Sequence, residues 1–347
     1  MTEDQPLLGI ARVVLATANQ KKRMPQTIAH RGNKAAFPEN SMAGFESAVA
    51  LGVHGLETDI HLSRDGVVVL SHDPSLKRCF DVDQKIADCD WDYLSTLRTT
   101  REPPQPMPRL VDLLTYLAEP GLERIWLLLD IKTDDDPDAL LSAVASTLES
   151  VPSGPIPWTE RIVMGAWNDI FITKTTTHLP LYRIAYISFT PLYARRFLSR
   201  TNPKIHFNML QKSLVGPLGS SFLRAVRKDP ERRIWVWTVN DRVWMDWAIR
   251  KGVDGVITDD PALFLDVCRG RYLDTPQEDG KVDEEGVDEE GVEVVVKGRG
   301  KGEPKSKARM YMEALVLQAV ILVLTVVFWR RLGRHGMKKG DAGRKKT

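Results

Sequence analysis

Four short polar motifs lie between Ala29 and Asp73: Ala29-His30-Arg31-Gly32, Pro38-Glu39-Asn40-Ser41, Glu57-Thr58-Asp59 and Ser71-His72-Asp73. Each lies in or beside an apolar run typical of a β-strand. Residues two apart on a strand point to the same face, so Glu57 and Asp59 are predicted to project together into one small volume. Asp65-Gly66 indicates a hairpin turn, after which Val67–Leu70 returns the chain towards His72.

Two adjacent carboxylates need a compensating charge. Unit charges about 4 Å apart repel by roughly 4 kcal/mol at an effective dielectric constant of about 20. A shared proton or a hard divalent cation relieves that repulsion, and oxygen ligands suit Mg²⁺ or Ca²⁺. The alternative is that Glu57 and Asp59 form the polar face of an edge strand. The spacing alone leaves both interpretations open.

From Gln26 onwards, strand-like and helical patterns alternate. The predicted strands are Gln26–His30, Val53–Ile60, Arg124–Ile131, Arg161–Ala166, Tyr182–Ile187, Lys204–Met209, Arg233–Val239 and Val253–Thr258. The predicted helices include Ser41–Leu51, Asp138–Glu149, Pro191–Ser199, Ser220–Lys228 and Arg242–Lys251. Eight strand–helix units over about 240 residues predict an α/β fold, a (β/α)8 TIM barrel. An open doubly wound sheet would need a glycine-rich phosphate loop after the first strand, where the sequence has none.

The polar residues of interest fall at one end of this predicted barrel. His30, Glu57, Asp59, Asp130 and Lys132 all lie at or just past the C-terminal ends of predicted strands. TIM-barrel enzymes place their chemistry at that face. The strand assignments did not use these residues, so their position supports the fold independently.

Taken together, the motifs resemble the glycerophosphodiester phosphodiesterase family. Leu129-Asp130-Ile131-Lys132 and the segment Gly255–Pro261 extend the resemblance, which covers about residues 26–268. It implies a TIM barrel over residues 26–270 with a small insertion after the second strand, at residues 74–108, over the barrel mouth. A substrate lid and a packing cap are both open roles for this insertion.

The resemblance also implies a metal site and a phosphate site. Glu57 and Asp59 would bind one divalent cation, Mg²⁺ or Ca²⁺, with Asp130 as the third carboxylate. The family most often has a glutamate at that third position, so Asp130 is one methylene shorter than usual. Arg31 and Lys132 suit a phosphodiester anion, Arg31 through a planar bidentate fork and Lys132 as a point charge.

Two histidines are the implied acid–base pair. His30 and His72 would flank the phosphorus, since a histidine titrates near neutral pH and can accept or donate a proton there. Glu39 is interpreted as orienting the His30 loop, Asn40 as a substrate ligand and Trp237 as a surface on which substrate stacks. Structural roles for these last three residues stay open.

Composition narrows the class of protein. The chain has 347 residues, 43% of them hydrophobic, which suffices for one large core. A formal net charge of +2 gives no electrostatic reason to expect nucleic acid as a partner, and no protein partner is predicted. Three cysteines, Cys79, Cys89 and Cys268, are too few for a secreted disulfide scaffold and suit a reducing compartment.

Outside the barrel the sequence predicts four further segments. Residues 1–25 form an N-terminal extension that is a poor secretory signal, and residues 271–310 form a charged, glycine-rich disordered linker. Sixteen uncharged residues, Ala314–Trp329, predict a membrane helix. Extended to residues 311–332 it would be about 33 Å long, enough to span a bilayer. A basic tail, residues 333–347, follows.

These features predict an enzyme anchored by its C-terminal helix, with the catalytic domain in the cytosol. The endoplasmic reticulum, the mitochondrial outer membrane and lipid droplets are the candidate membranes. The expected substrate is a membrane phospholipid, phosphatidylglycerol, cleaved to diacylglycerol and glycerol 3-phosphate, as the resemblance to fungal phosphatidylglycerol phospholipase C suggests. One alternative is hydrolysis of glycerophosphodiesters or lysophospholipids with release of the alcohol headgroup. The other is a catalytically inactive, membrane-tethered lipid-binding module.

Overall fold

The computed structural model of the protein describes residues 24–199, 204–273 and 311–321. Its strands are β1 (Gln26–His30), β2 (Gly55–Leu62), β3 (Val68–Leu70), β4 (Trp126–Ile131), β5 (Ile162–Ala166), β6 (Arg183–Ser188), β7 (Ile205–Leu210), β8 (Ile234–Trp237) and β9 (Gly255–Thr258). Its α-helices are α1 (Met42–Ala50), α2 (Lys77–Phe80), α3 (Trp91–Leu94), α4 (Leu110–Leu117), α5 (Pro137–Ser150), α6 (Trp158–Arg161), α7 (Asp169–His178), α8 (Pro191–Ala194), α9 (Gly216–Val226), α10 (Arg242–Lys251), α11 (Pro261–Leu273) and α12 (residues 311–321).

Eight parallel strands close into a barrel. β1 pairs with β2 on one side and with β9 on the other, and the strands between them pair in parallel with their neighbours. β3 runs antiparallel to the end of β2, as the Asp65-Gly66 turn predicts. The predicted TIM barrel is therefore confirmed, and each of its eight predicted strands is present. β2 begins at Gly55 rather than Val53, because the Val53 amide still donates back to Ala48 of α1.

Apolar side chains pack on both faces of the barrel strands, inside the barrel and between the strands and the helices. Inside, the rings of Trp126 on β4 and Trp235 on β8 lie 5.3 Å apart between centroids. Gly55 makes room for them, since a Cβ at this position would lie 2.7 Å from the Trp126 ring. A larger cluster lies between the strands and the surrounding helices. Packing on both faces makes the strand ends fixed positions for the side chains they carry.

The segment predicted as an insertion, residues 74–108, lies between β3 and α4 and contains α2 and α3. It packs around a small buried cluster formed by Val69, Leu76, Ile86, Cys89, Leu94 and Met107. Arg101 ties it to the connection between β1 and α1. Its guanidinium donates to the carbonyl oxygens of Lys34 at 2.6 Å, Phe37 at 2.6 Å and Ala35 at 3.0 Å. The insertion thereby braces the loop that follows His30.

Helix α12 packs against the barrel. The Tyr311 ring lies 5.6 Å from that of Trp244 on α10, measured between centroids. The Gln318 side-chain amide donates to the carbonyl oxygens of Lys212 at 2.7 Å and Val215 at 2.9 Å. These contacts hold the helix beside the connection that leads into α9.

The predicted C-terminal membrane helix is wrong for the part of the chain that the structure describes. No helix within residues 24–199, 204–273 and 311–321 is long and apolar enough to cross a membrane. The predicted membrane location, whether endoplasmic reticulum, mitochondrial outer membrane or lipid droplet, rested on that helix and is corrected with it. Residues 322–332 lie outside the described ranges, as do residues 1–23, 274–310 and 333–347.

Candidate active site

Three carboxylates meet where β2 and β4 end. Glu57 and Asp59 share one side of β2, and the pairing of β2 with β4 places Asp130 beside Asp59. One carboxylate oxygen from each residue lies within 4.8 Å of the other two, and all three residues are buried. Alternation along one strand and register between two strands together produce this cluster.

Two cations compensate the cluster. Lys132 Nζ lies 2.6 Å from Asp59 Oδ1 and 2.7 Å from Asp130 Oδ2, and Arg31 Nε lies 3.0 Å from Asp59 Oδ2. Burial alone would raise the pKa of Asp59, but Lys132 and Arg31 outweigh burial and hold that pKa well below its usual range. Burial and the charge of Asp59 raise the pKa of Glu57 well above its usual range. Burial also raises the pKa of Asp130. Asp59 is therefore ionised, whereas Glu57 favours its protonated form.

The cluster fits a hard divalent cation. Carboxylate oxygens are the ligands that Mg²⁺ and Ca²⁺ prefer, and a cation would favour the ionised form of Glu57. Trp167 Nε1 donates to Asp130 Oδ1 at 2.6 Å. Outer contacts of this kind orient metal ligands. Glu57, Asp59 and Asp130 thus form an acidic triad able to hold a divalent cation.

His30 ends β1 and faces the triad. Its Nδ1 lies 2.5 Å from Asp259 Oδ1, and its Nε2 lies 3.9 Å from Glu57 Oε2. Asn240 donates to the second oxygen of Asp259 at 2.8 Å. Burial lowers the pKa of His30 despite the bond to Asp259. Burial would raise the pKa of Asp259, but His30, Lys34 and Asn240 together outweigh burial, and the pKa falls to about 2. His30 is therefore a neutral imidazole that donates Nδ1–H to Asp259 and keeps a lone pair on Nε2.

His72 reaches the same cavity from the end of β3. Its Nδ1 lies 2.6 Å from Asp73 Oδ1. Arg78, on α2 of the insertion, donates to Asp73 Oδ2 at 2.5 Å and to the two oxygens of Glu39 at 2.7 and 2.9 Å. The His72 side chain is 36% exposed, against 12% for His30, so His72 is the more accessible of the two to solvent. The insertion thus orients the His72–Asp73 pair through Arg78.

The connection between β1 and α1 holds an unusual backbone. Arg31, Gly32 and Asn40 have φ angles of 59°, 84° and 51°, a left-handed region that is costly for residues other than glycine. Glu39 Oε1 accepts from Arg31 Nη1 at 3.0 Å, and Asn40 Nδ2 donates to Asp59 Oδ2 at 3.0 Å. These bonds fix the Arg31 guanidinium beside the triad.

A cavity of about 270 Å³ opens onto these groups. Its polar wall includes His30, Arg31, Glu57, His72, Asp130 and Lys132. Its aromatic wall consists of Trp167, Phe189 and Trp237, with Phe189 lying 5.2 Å from Trp167 and 5.3 Å from Trp237 between ring centroids. Trp237 is thus in a position to contact substrate. Glu39 and Asn40 are not among the described residues that line the cavity, and they support Arg31 and Asp59 instead.

Four residues of this site carry no sequence prediction: Asp259, Asp73, Trp167 and Phe189. Both aspartates lie inside motifs used in the sequence analysis. For Asp73, its position directly after His72 was the available signal, whereas Asp259 is far from His30 in the sequence. Trp167 and Phe189 directly follow the C-terminal ends of β5 and β6. Their position at the catalytic face of the barrel could have identified them.

Comparison with known proteins assigns the family. The sequence profile of the glycerophosphoryl diester phosphodiesterase family matches residues 30–263. A glycerophosphodiester phosphodiesterase of Caldanaerobacter subterraneus is 23% identical over 253 residues, covering 70% of this chain and 97% of the relative. Glycerophosphodiester phosphodiesterase domain-containing protein 4 of Macaca fascicularis is 34% identical over 314 residues, covering 78% of this chain and 46% of the relative. A lysophospholipase D of Rattus norvegicus is 40% identical over 76 residues, 21% of this chain and 24% of the relative.

A solved structure has the same fold. It is a phosphodiesterase of Oleispira antarctica in complex with the product sn-glycerol-3-phosphate, with a TM-score of 0.59 and 21% identity, covering 71% of this chain and 97% of that one. At this identity the likeness concerns the fold alone. The profile match extends over more than half of the chain and includes both histidines and the acidic triad. The chain belongs to the glycerophosphoryl diester phosphodiesterase family and is a phosphoric diester hydrolase.

Proposed function

We propose that the protein hydrolyses a glycerol phosphodiester that has a free hydroxyl next to the ester, a glycerophosphodiester or a lysophospholipid, and releases the alcohol headgroup. One observation carries the proposal: two carboxylates of the buried acidic triad, Glu57 and Asp130, line a cavity of about 270 Å³ together with two cations and two histidines. This volume is slightly below the usual range for small-molecule sites, about 300–1,000 Å³, and suits a headgroup rather than a whole lipid.

The charged groups would bind the phosphodiester. Glu57, Asp59 and Asp130 would hold one divalent cation, Mg²⁺ or Ca²⁺, which when bound supplies positive charge near the phosphoryl oxygens. Arg31 and Lys132 add two fixed positive charges at the same place. Because these groups are positioned before substrate arrives, they stabilise the charge that develops on the phosphoryl oxygens during reaction.

The two histidines would move the protons. His30 Nε2 accepts the proton of the substrate hydroxyl, whose oxygen attacks phosphorus. His72 donates a proton to the departing headgroup oxygen, and a cyclic phosphate forms. In the second step water attacks the cyclic phosphate, with His72 as the base and His30 as the acid. Asp259 and Asp73 keep each imidazole in the required orientation through its Nδ1.

This chemistry restricts the substrate. The attacking hydroxyl must be on the carbon next to the one that carries the phosphoester oxygen. A glycerophosphodiester or a lysophospholipid has such a hydroxyl on its own glycerol, whereas a diacylated glycerol has none. The printed names of the relatives, a glycerophosphodiester phosphodiesterase and a lysophospholipase D, agree with this class of substrate.

Two other functions from the sequence analysis are less favoured. Phosphatidylglycerol carries the hydroxyl on its headgroup and satisfies the same chemistry, so its cleavage stays a prediction. The preference for it depended on the membrane helix, which the described residues do not contain. A catalytically inactive lipid-binding module would need neither His30 nor His72, yet both face the cavity and each has a carboxylate partner.

The test is product analysis with defined substrates. Purified protein is incubated with glycerophosphocholine, lysophosphatidylcholine or phosphatidylglycerol, each with Mg²⁺, Ca²⁺ or EDTA, and products are identified by mass spectrometry. We expect choline from the first two substrates and no choline with EDTA. His30→Ala and His72→Ala should each abolish turnover, whereas His178→Ala, a matched change on α7, should not. Diacylglycerol from phosphatidylglycerol as the main product, or turnover insensitive to EDTA, would contradict the proposal.

A further inference from the structure

An apolar groove lies beside the catalytic cavity, between α8, the start of α9 and α12. The apolar groove has a volume of about 240 Å³, and its lining includes Phe189, Leu192, Leu218, Leu315 and Ala319. The first four side chains are 48%, 44%, 55% and 51% exposed. Large apolar side chains that are about half exposed and contiguous are typical of a surface that binds a ligand, a membrane or another protein.

Phe189 connects the apolar groove to the catalytic cavity. It lines the apolar groove, the catalytic cavity and the opening beside His72. Within the catalytic cavity it contacts Trp167 and Trp237, whose ring centroids lie 5.2 and 5.3 Å from its own. A continuous apolar surface therefore runs from the phosphate site to the apolar groove.

The polar side chains of the apolar groove are already engaged with the backbone. Ser213 Oγ donates to a carbonyl oxygen at 2.7 Å, and Gln318 Nε2 donates to carbonyl oxygens at 2.7 and 2.9 Å. Thr190 Oγ1 accepts from a backbone amide at 3.3 Å. No charged side chain is among the described residues of its lining. Such a surface favours the burial of hydrocarbon and provides few hydrogen-bonding or charged partners for a peptide, a sugar or a nucleotide.

We propose that the apolar groove binds the single acyl chain of a lysophospholipid whose phosphodiester lies in the catalytic cavity. This inference rests on the proposed function and narrows it to monoacylated substrates. A phosphodiester held by Arg31 and Lys132 places its glycerol beside the aromatic wall. A chain esterified to that glycerol then passes over Phe189 into the apolar groove, with α12 as one side of it.

Alkylphosphocholines test the apolar groove without turnover, because they lack the neighbouring hydroxyl that the proposed reaction needs. Hexyl-, octyl-, decyl- and dodecylphosphocholine, each below its critical micelle concentration, are titrated into the full chain by calorimetry. Each methylene moved from water into an apolar site is worth about fourfold in Kd. Affinity should therefore rise steeply with chain length until the apolar groove is filled.

Substitutions on two walls supply the controls. Leu218→Glu on α9 and Leu315→Glu on α12 should each flatten the dependence of Kd on chain length. Leu181→Glu is the matched control, since Leu181 is 78% exposed and precedes β6, at the opposite end of the barrel. In turnover assays, Leu218→Glu should lower kcat/KM for lauroyl lysophosphatidylcholine, relative to glycerophosphocholine, about tenfold. Leu181→Glu should leave that ratio unchanged.

Several results would overturn the inference. The acyl site is refuted if Kd does not depend on chain length, or if Kd depends on chain length equally in the wild type and in Leu218→Glu. The apolar groove is instead a membrane contact if Leu218→Glu abolishes sedimentation with phosphatidylcholine vesicles while the chain-length dependence stays. The apolar groove is a contact with a second copy of the protein if Leu218→Glu dissociates a dimer in ultracentrifugation while the chain-length dependence of Kd stays. A steep dependence that Leu218→Glu removes, without hydrolysis of any phosphodiester, would refute the proposed function and retain the acyl site.

Discussion

Neutralising the two carboxylates of β2 should have different effects on the stability of the protein in EDTA. Asp59 is 1% exposed and lies 2.6 Å from Lys132 Nζ and 3.0 Å from Arg31 Nε. Breaking a buried ion pair from one side costs about 3–5 kcal/mol, because the partner charge stays buried. Lys132 keeps Asp130 and Arg31 keeps Glu39, so we expect Asp59→Asn to cost about 3 kcal/mol, the low end of that range.

Glu57→Gln should be nearly neutral. Burial already favours the protonated form of Glu57, and glutamine has almost the same shape as a protonated glutamate. The amide oxygen can still accept from the Arg31 backbone N–H, as Glu57 Oε2 does at 3.1 Å. The substitution also removes any repulsion of Asp59. We expect a change of about 1 kcal/mol or less in the free energy of unfolding, the size of one hydrogen bond.

Thermal unfolding followed by circular dichroism at pH 7 in EDTA measures both effects. In a domain of this size 1 kcal/mol shifts Tm by about 2–4 °C, so Asp59→Asn should lower Tm by about 6–12 °C and Glu57→Gln by at most about 4 °C. Glu46→Gln, on the exposed face of α1, is the control and should change nothing. Both site variants should lose the stabilisation that Mg²⁺ or Ca²⁺ gives the wild type. Equal destabilisation by Glu57→Gln and Asp59→Asn would refute the assigned charge states.

Three further predictions concern the same site. Folding raises the pKa of Glu57, so the folded protein binds more protons than the unfolded chain. The free energy of unfolding in EDTA should therefore fall as pH rises above the usual carboxyl range. Urea unfolding at a series of pH values should show a shallower fall for Glu57→Gln than for the wild type. Asp259→Asn removes the acceptor of His30 Nδ1 and should lower kcat/KM by about 10²–10⁴-fold, whereas an equal loss with the exposed Asp266→Asn would contradict that role. Asp130→Glu restores the usual ligand of the family and should retain metal-dependent turnover, and an inactive but folded variant would exclude Asp130 as a ligand.

The barrel was predictable because its signals are local. Each buried strand is a short apolar run ended by polar residues, and the side-chain period of two placed Glu57 and Asp59 on one face without any knowledge of neighbours. Parallel strands end at the same edge, so Asp130 could be expected near them. The fold and the composition of the triad therefore follow from patterns a few residues long.

What the sequence did not predict depends on distant contacts. The bridge that Lys132 makes between Asp59 and Asp130 is set by the register of β2 and β4, and its predicted role in binding substrate phosphate stays a prediction. The uncharged run that begins at Ala314 has the hydropathy of a membrane helix, but α12 instead packs on the barrel, with Gln318 bonded to backbone carbonyl oxygens. Hydropathy records how apolar a helix is and not which surface covers it.

The pairing of His30 with Asp259 has a consequence for biosynthesis. The two residues lie 229 positions apart in the chain and meet only when β1 docks on β9 to close the barrel. While the ribosome is still adding the last strand, the nascent polypeptide already contains the acidic triad, yet its first imidazole has no partner. A product that ends or is cleaved ahead of β9 lacks Asp259, and with it the partner that orients His30 in the proposed acid–base pair. His30 therefore gains its carboxylate partner only after synthesis has passed Asp259 and β9 has closed the barrel.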